Sequence, residues 1–133
     1  MAVDEYGSFP LQTYLGMQLE TPEPGRTVAR VDVGEHHQNP NGVVHGGVIF
    51  TMVDTAMGGA TMSVLADGEI CASIEVQLRF LRPAIGDQLE AETTVVRQGR
   101  RIIHLESRVR DGDGELIATG AGSFAVIADP SRA

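Results

Sequence analysis

The feature that most constrains the fold is a long apolar segment, residues 48–66, in which Asp54 is the only charged side chain. Asp54, two adjacent glycines and several hydroxyl groups make this segment too polar for a membrane span. It suits one helix over about 47–66 that the rest of the chain buries. Gly58 and Gly59 each weaken helix preference by roughly 1 kcal/mol, so we expect packing rather than local preference to hold this helix.

Alternation of apolar and polar residues predicts half-buried strands on both sides of the helix. The predicted strands cover residues 27–33, 70–80, 89–96, 102–110 and 116–127. In the second of these, Ser73 alternates with the apolar residues and is therefore expected on the polar face. Neighbouring strands after the helix should form antiparallel hairpins. We predict an α+β fold in which a long central helix is wrapped by an antiparallel sheet of five or six strands.

The chain is predicted to be a single domain, residues 1–133, with a core over about 15–127. Residues 8–15 suit a short helix with Pro10 in its first turn, and residues 21–25 suit a turn. The last predicted strand is apolar on both faces, and the helix covers only one of them. We therefore expect a partner chain to supply further cover.

Charge and composition exclude several classes of partner. The net charge of −8 argues against nucleic acid. The single cysteine, Cys71, excludes an internal disulfide and suits a reducing cytoplasm. The first nine residues lack the basic and apolar regions of a signal peptide. We therefore expect a cytoplasmic protein that binds neither nucleic acid nor membranes.

The histidines of the loop before the helix do not suggest a metal centre. His36 and His37 lie in a polar stretch, where we expect both to be exposed. No cluster of acids or cysteines accompanies them, so no metal site is predicted.

The residues at the helix start have the chemistry of an electrophile-binding site. Asn39 lies in the loop, and His45, Gly46 and Gly47 follow it. The first backbone N–H groups of a helix have no partner within the helix, and the helix dipole strengthens their attraction for negative charge. Since the glycines have no side chains to block approach, these donors can form an oxyanion hole for a carbonyl attacked by water. His45 and Asn39 can orient that carbonyl, a water or the loop.

Asp54 is the candidate catalytic acid or base, because a carboxylate in an apolar helix is costly unless it is paired or used. His45 and Asp54 are nine positions apart, which corresponds to about 13.5 Å and two and a half turns of helix. They therefore face opposite sides, and one chain cannot bring Asp54 onto its own helix start. If both act in one site, Asp54 comes from a second subunit, and a two-fold dimer carries two such sites.

These residues resemble the motif of a known family. Asn39, His45-Gly46-Gly47 and Asp54 look like the motif of hot-dog-fold acyl-CoA thioesterases of the phenylacetic-acid-degradation (PaaI) type. Residues 73–83 resemble the central strand of that family and its Arg-Pro end, and the likeness covers about residues 15–127. The resemblance implies a hot-dog fold, a homodimer with one continuous sheet, and often a homotetramer. It also implies hydrolysis of an acyl-CoA, with an aryl or medium-chain acyl group, to a carboxylic acid and coenzyme A.

The resemblance also implies a role for each motif residue. Asp54 would be the general base or nucleophile, and the Gly46 N–H would polarise the thioester carbonyl. The other motif residues would bind substrate or position the carbonyl, its loop, a water or the carboxylate: Asn39, His45, Gly47 and Ser73. No cofactor is implied, because coenzyme A is part of the substrate.

The arginines are candidates for binding the phosphates of an acyl-CoA. The chain has no lysine, and seven of its ten arginines lie within residues 79–110. Arginine binds phosphate through two parallel hydrogen bonds. Arg82, Arg100 and Arg101 are the candidates for the phosphates of coenzyme A, because they lie at strand ends or turns.

Two other functions remain open on the sequence. A hot-dog enoyl-CoA hydratase or dehydratase would use a histidine and an acid on an enoyl chain, although the His-Gly-Gly motif fits thioesterases better. A non-catalytic acyl-CoA-binding sensor would need no carboxylate facing the carbonyl, so Asp54 argues against it.

Overall fold

The computed structural model describes residues 8–132 and shows a six-stranded antiparallel sheet with a long helix packed against it. The elements in chain order are α1 (Pro10–Leu15), β1 (Gln18–Glu23), β2 (Arg26–Asp32), a 3-10 turn (Glu35–His37), α2 (Gly46–Met62), β3 (Glu69–Phe80), β4 (Gln88–Gln98), β5 (Ile102–Asp111), β6 (Leu116–Ala128) and a second 3-10 turn (Pro130–Arg132). This architecture confirms the predicted α+β fold. Most of the segment considered for a signal peptide lies outside the described residues.

The strand order is β1-β2-β4-β5-β6-β3, and every neighbouring pair is antiparallel. The hairpins β4–β5 and β5–β6 confirm the predicted ones. The predicted turn over 21–25 is wrong in part, since Thr21 to Glu23 belong to β1 and only Pro24-Gly25 turns the chain. Pro22 is tolerated there because β1 is an edge strand, where a missing backbone donor costs little.

Helix α2 lies on the inner face of the sheet, which buries one side of the helix. The buried apolar side chains of α2 are Val48, Ile49, Met52, Val53, Ala56, Met57, Ala60 and Met62. Full burial of a Val, Ile or Met side chain contributes roughly 1.5–3 kcal/mol, which outweighs the weak helix preference of Gly58 and Gly59. Two glycines allow α2 to lie close to the sheet. A Cβ at Gly59 would lie 3.4 Å from Thr27 of β2, and a Cβ at Gly122 of β6 would overlap the Met57 sulfur.

Helix α2 ends at Met62, earlier than the predicted end near residue 66. The Ser63 hydroxyl accepts a hydrogen bond from the Gly25 N–H at 2.8 Å and donates one to the Ala60 carbonyl at 2.6 Å. The turn between β1 and β2 therefore fastens the end of the helix. None of the helices within residues 8–132 has the length and apolar character that a membrane crossing requires.

A β-bulge in β3 reverses the predicted orientation of Ser73. The register of β3 against β6 shifts between Ser73 and Glu75, so Ile74 is the extra residue. Directly paired residues share a sheet face, and Ser73 pairs with Phe124, whose side chain is buried in the core. Ser73 therefore lies on the helix-facing side rather than on the outer polar face. Uninterrupted alternation placed it incorrectly because a bulge shifts the two-residue period by one.

The two edges of the sheet differ in how well they are protected. The outer edge, β1, is short, contains Pro22 and is interrupted by a register shift. The other edge, β3, has 12 residues without a proline, and Ile74 at its bulge is 57% exposed. A long edge with free backbone groups is a template for pairing with another strand. The edge formed by β3 is thus the place on this subunit where a further strand would fit.

Asp111 organises the turn between β5 and β6. Its buried carboxylate accepts backbone hydrogen bonds from Ile85 at 3.2 Å, Asp113 at 3.0 Å and Glu115 at 3.1 Å. Burial pushes its pKa upward, but these three donors and the charge of Arg82 outweigh burial. The pKa of Asp111 therefore lies below its ordinary value.

We expect Asp111→Ala to lower the free energy of unfolding by about 1–3 kcal/mol, because three backbone donors lose their acceptor. A lowered carboxyl pKa contributes stability above the ordinary value of about 3.9, and this contribution is lost as the pH falls through the folded value. Urea unfolding at neutral pH and at about pH 3 measures both effects. Asp113→Ala, which removes an exposed carboxylate, is the control. A stability difference that is the same at both pH values would contradict the role given to the Asp111 charge.

Candidate active site

His45 caps the start of α2 with its ring. The ring Nδ1 accepts a hydrogen bond from the Gly47 N–H at 2.7 Å. Because a backbone N–H can only donate, Nδ1 must be the acceptor, and a neutral His45 ring carries its proton on Nε2. A Cβ at residue 47 would lie 2.9 Å from Nδ1. Gly47 is therefore needed for the ring to fold back over the helix start, and the Nε2–H has no acceptor within residues 8–132.

The Gly46 N–H is the free donor at this helix start. It makes no hydrogen bond to any residue within 8–132. A Cβ at residue 46 would lie 3.1 Å from Cζ of Phe80, so the aromatic ring at the end of β3 lies directly against this glycine. The first N–H groups of a helix carry partial positive charge. The Gly46 N–H can therefore stabilise negative charge that develops on a carbonyl oxygen next to the Phe80 ring.

Asn39 shapes the loop that leads to this helix start. Its N–H donates to the Val43 carbonyl at 2.7 Å, and its side-chain oxygen accepts from the N–H groups of Asn41 at 2.9 Å and Val43 at 3.4 Å. Gly42, with φ +79°, closes the turn by donating to the Asn39 carbonyl at 3.0 Å. The side-chain oxygen of Asn39 is thus used within the loop. Its amide NH2 group has no partner among the described residues, so this group can donate to a substrate.

Asp54 lies on the face of α2 that the sheet leaves uncovered. Gly47, Phe50 and Thr51 share this face, and Phe50 is 40% exposed. Within residues 8–132 no hydrogen bond or ion pair reaches the Asp54 carboxylate. Partial burial raises the pKa of Asp54 above its ordinary value, because it disfavours the charged form. Such a carboxylate, poorly solvated and unpaired, is a stronger base than an ordinary surface aspartate.

Within one subunit the Gly46 N–H and the Asp54 carboxylate lie far apart. Helix α2 is continuous from Gly46 to Met62, and the eight positions from Gly46 to Asp54 correspond to about 12 Å along its axis. Ser73 is exposed on the free edge strand, on the side that faces the helix, and its hydroxyl has no described partner. One chain thus supplies all the predicted groups but does not bring Asp54 to its own helix start.

The three candidate arginines lie at opposite ends of the sheet. The Arg82 N–H donates to the Ile117 carbonyl, and the Arg101 carbonyl accepts from the Val126 N–H. These contacts are nine residues apart on β6, which corresponds to about 30 Å. Arg82 is at the same end as Phe80 and pairs with Glu115 at 3.5 Å, whereas Arg100 and Arg101 are exposed at the far end. One subunit therefore cannot place all three on a single phosphate group.

Sequence reasoning missed two residues beside the site and was wrong about one of them. His37 was expected to be exposed but is 1% exposed, and both of its ring nitrogens have hydrogen-bond partners. Phe80 was treated only as part of a strand, yet its ring contacts Gly46. Neither role has a periodic signal in the sequence, since each depends on contacts between distant segments. Among residues 8–132, no group of three or more His, Cys, Asp or Glu side chains is arranged to hold a metal ion.

The two main surface depressions of the described subunit lie away from Asp54 and Gly46. One of about 340 Å³ lies among β2, β4 and β5, and another of about 420 Å³ lies on the outer face of β3, β5 and β6. Arg79 and Arg108 line the second, whereas Asp54 and Gly46 line neither. The candidate site therefore consists of the start of α2 and its uncovered face, where Gly46 and Asp54 lie.

The sequence is similar to those of proteins whose family is known. Residues 41–118 match the Thioesterase superfamily. A provisionally named esterase of Halobacterium salinarum is 35% identical, over 96% of this chain and 89% of its own length. Human acyl-coenzyme A thioesterase 13 is 28% identical, over 77% of this chain and 74% of its own length.

Solved structures of similar proteins have the same fold. A Bacillus halodurans protein crystallised with CoA is 31% identical and has a TM-score of 0.86, over 96% of this chain and 84% of that one. The PaaI protein of the E. coli phenylacetic acid degradation operon has a TM-score of 0.85 over 95% of this chain and 90% of that one. At 23% identity, the second likeness shows the fold alone. The chain belongs to the Thioesterase superfamily, a family of thioester hydrolases, and has the hot-dog fold that its motif residues predict.

Proposed function

We propose that this protein hydrolyses the thioester bond of an acyl-CoA, with an aryl or medium-chain acyl group, to the free acid and coenzyme A. Membership of the Thioesterase superfamily supports thioester hydrolysis. The acyl-CoA assignment is supported by the names of two similar proteins, the human acyl-coenzyme A thioesterase and the Bacillus protein crystallised with CoA. The observation that carries the proposal is the pairing of chemistries on α2: a free N–H donor at Gly46 and an unpaired, half-buried carboxylate at Asp54.

The reaction needs a donor for the carbonyl oxygen and a base or nucleophile for the carbonyl carbon. The Gly46 N–H, at the positive end of α2, would stabilise the charge that develops on that oxygen. Asp54 would remove a proton from the attacking water or attack the carbon itself, with water then opening the mixed anhydride. In both routes the carbon–sulfur bond breaks, coenzyme A leaves as a thiolate that takes up a proton, and water supplies the new oxygen of the acid.

A second copy of this chain would complete each site. The proposed homodimer forms by antiparallel pairing of the β3 edges about a two-fold axis, which continues the sheet through both subunits. The length of β3 and the exposure of Ile74 at its bulge support this pairing. The dimer would present Asp54 of one subunit to the Gly46 N–H of the other, and a homotetramer would be a pair of such dimers.

The same pairing would give the separated arginines a shared ligand. Antiparallel pairing brings the beginning of one β3 beside the end of the other. Arg100 and Arg101 of one subunit would then lie at the end of the sheet where the other subunit carries Arg82 and Gly46. We propose that these arginines hold the phosphates of coenzyme A while the thioester reaches the helix start.

The polar groups around the helix start would position the reacting atoms. The amide NH2 of Asn39 and the Nε2–H of His45 are donors without partners among the described residues. They would orient the carbonyl beside the Gly46 N–H. The Ser73 hydroxyl, turned to the helix side by the bulge, would place the water or the Asp54 carboxylate.

Two exposed aromatic rings support an apolar acyl group. Phe80 lies against Gly46 and is 53% exposed, and Phe50 is 40% exposed one turn along α2. Large apolar side chains beside a polar reaction centre can bury a substrate's hydrocarbon or ring. Aromatic and medium-chain acyl groups would both gain from this contact.

Gly46→Pro and Gly46→Ala form a matched pair that isolates the donor. Proline is tolerated at the first position of a helix and has its ring Cδ on the nitrogen in place of the hydrogen, whereas alanine keeps the N–H and also adds a Cβ beside Phe80. We expect Gly46→Pro to lower kcat by about 10²–10³-fold, as loss of an oxyanion-hole donor does, and Gly46→Ala to have a much smaller effect. Steady-state kinetics with circular dichroism to verify folding tests this. Equal activity in the two variants would show that the Gly46 N–H is not the donor.

Asp54→Asn tests the carboxylate and the proposed reaction together. A free-thiol assay over a panel of aryl- and medium-chain acyl-CoAs should show turnover by the wild type and a loss of about 10²–10⁴-fold in the variant. Because the active form is the carboxylate and its pKa is raised, wild-type activity should rise with pH through a value above the ordinary one of about 3.9.

The same variant should not lose stability. A raised carboxyl pKa means that folding disfavours the charged form, so stability decreases as the pH rises through the interval between the unfolded and folded values. At neutral pH the uncharged asparagine removes this cost, and the urea midpoint of Asp54→Asn should equal or exceed that of the wild type. Undiminished thioester turnover in Asp54→Asn would refute the proposed mechanism.

A further inference from the structure

We propose that His37 is a positioning residue that fastens the catalytic hairpin to the body of the subunit. The catalytic hairpin is defined here as residues 37–47, which include Asn39, His45 and the Gly46 donor. The inference rests on the proposed function, because that function assigns these groups to the substrate carbonyl. His37 itself points into the protein and is 1% exposed, so it acts through the hairpin rather than on the substrate.

Both nitrogens of the buried His37 ring are bonded to the backbone of other segments. Nδ1 accepts from the Gly34 N–H at 2.8 Å, and Nε2 lies 2.8 Å from the Leu15 carbonyl oxygen. Since a carbonyl can only accept, Nε2 carries the proton, and both contacts together require one neutral tautomer. Leu15 is the last residue of α1, so no N–H within the helix donates to its carbonyl. The Nε2–H of His37 supplies this hydrogen bond. The ring therefore caps the 3-10 turn at Gly34 and fastens the base of the hairpin to α1.

The backbone of His37 forms the base of the catalytic hairpin. Its carbonyl accepts the His45 N–H at 2.8 Å, next to a β-bridge between Gln38 and Val44. The Asn39 N–H donates to the Val43 carbonyl one step further into the loop. These bonds close residues 37–45 into one hydrogen-bonded unit. Its base is anchored through His37, and its other end continues into α2.

This arrangement explains how a polar surface loop can present donors with fixed geometry. Catalytic donors lose efficiency when they are displaced, and a shift of about 1 Å can cost roughly 100-fold in rate. The hairpin's internal bonds fix its shape but not its position relative to the core. The start of α2 holds one end of the hairpin, and the two ring bonds of His37 hold its base, because they connect that base to backbone atoms in buried or partly buried surroundings.

Two conservative substitutions separate the two ring bonds. In His37→Asn the side-chain oxygen can take the place of Nδ1 and accept from Gly34, but nothing donates to Leu15. In His37→Gln the amide nitrogen can take the place of Nε2 and donate to Leu15, but nothing accepts from Gly34. His36→Asn and His36→Gln are the matched controls. His36 is the exposed neighbour whose ring stacks on that of His37 with a centroid distance of 3.9 Å.

The test combines kinetics with amide hydrogen exchange. We expect each His37 variant to lower kcat by about 10- to 100-fold with KM changed by less than about two-fold, and each His36 variant to leave both near wild type. By NMR, the amides of Asn39, Gly42 and His45 should be protected in the wild type and should exchange about ten-fold faster or more in the His37 variants, while sheet amides are unchanged.

Each outcome supports or overturns the role proposed for His37. Amide hydrogen exchange tests this role independently of the proposed function. If the wild type turns over no acyl-CoA, the proposed function fails, and the exchange rates alone decide whether His37 fastens the hairpin. If the wild type is active, folded His37 variants with wild-type kcat would overturn the positioning role and leave the function standing. If the His37 variants do not fold, unprotected hairpin amides in the wild type would overturn it.

Discussion

The unbroken helix α2 is the constraint on which the rest of the structure depends. Its start carries the free Gly46 donor, and its uncovered face carries Asp54 about 12 Å further along the axis. The helix is continuous and packs against the sheet, with glycines on both elements permitting close contact. The two reactive groups therefore have fixed positions that do not meet within one subunit. If both groups act on one thioester, as we propose, one of them must come from a second chain.

The electrostatics of α2 follow from the same packing. The sheet covers one side of the helix and leaves a stripe on which Asp54 is only half buried. This burial raises the pKa of Asp54, which has no partner among residues 8–132. The helix dipole and the free N–H make the other end attractive to negative charge. One element thus carries both the proposed base and the proposed electrophile-binding donor. The hairpin that His37 anchors carries Asn39 and His45 to this same helix start.

Much of the fold could be predicted from the sequence because periodicity records burial. The run around Asp54 predicted α2, and alternation predicted five of the six strands, β2 to β6, with small errors at their ends. Features that depend on distant contacts could not be predicted. The early end of α2 depends on Ser63 bonding to Gly25, and the orientation of Ser73 depends on a bulge that alternation does not reveal. The buried His37 looked like an exposed loop residue because its partners are backbone atoms, which leave no pattern in side-chain identity.

The central claim, that each site takes Gly46 from one subunit and Asp54 from the other, is tested most directly with purified hybrid dimers. A Gly46→Pro chain paired with an Asp54→Asn chain should regain about half of wild-type activity, because one of its two shared sites is intact. The reciprocal hybrid, a wild-type chain paired with a chain carrying both substitutions, should be inactive, because each shared site lacks one group. The opposite result, an inactive first hybrid and a half-active second one, would show that each chain works alone and would contradict this account.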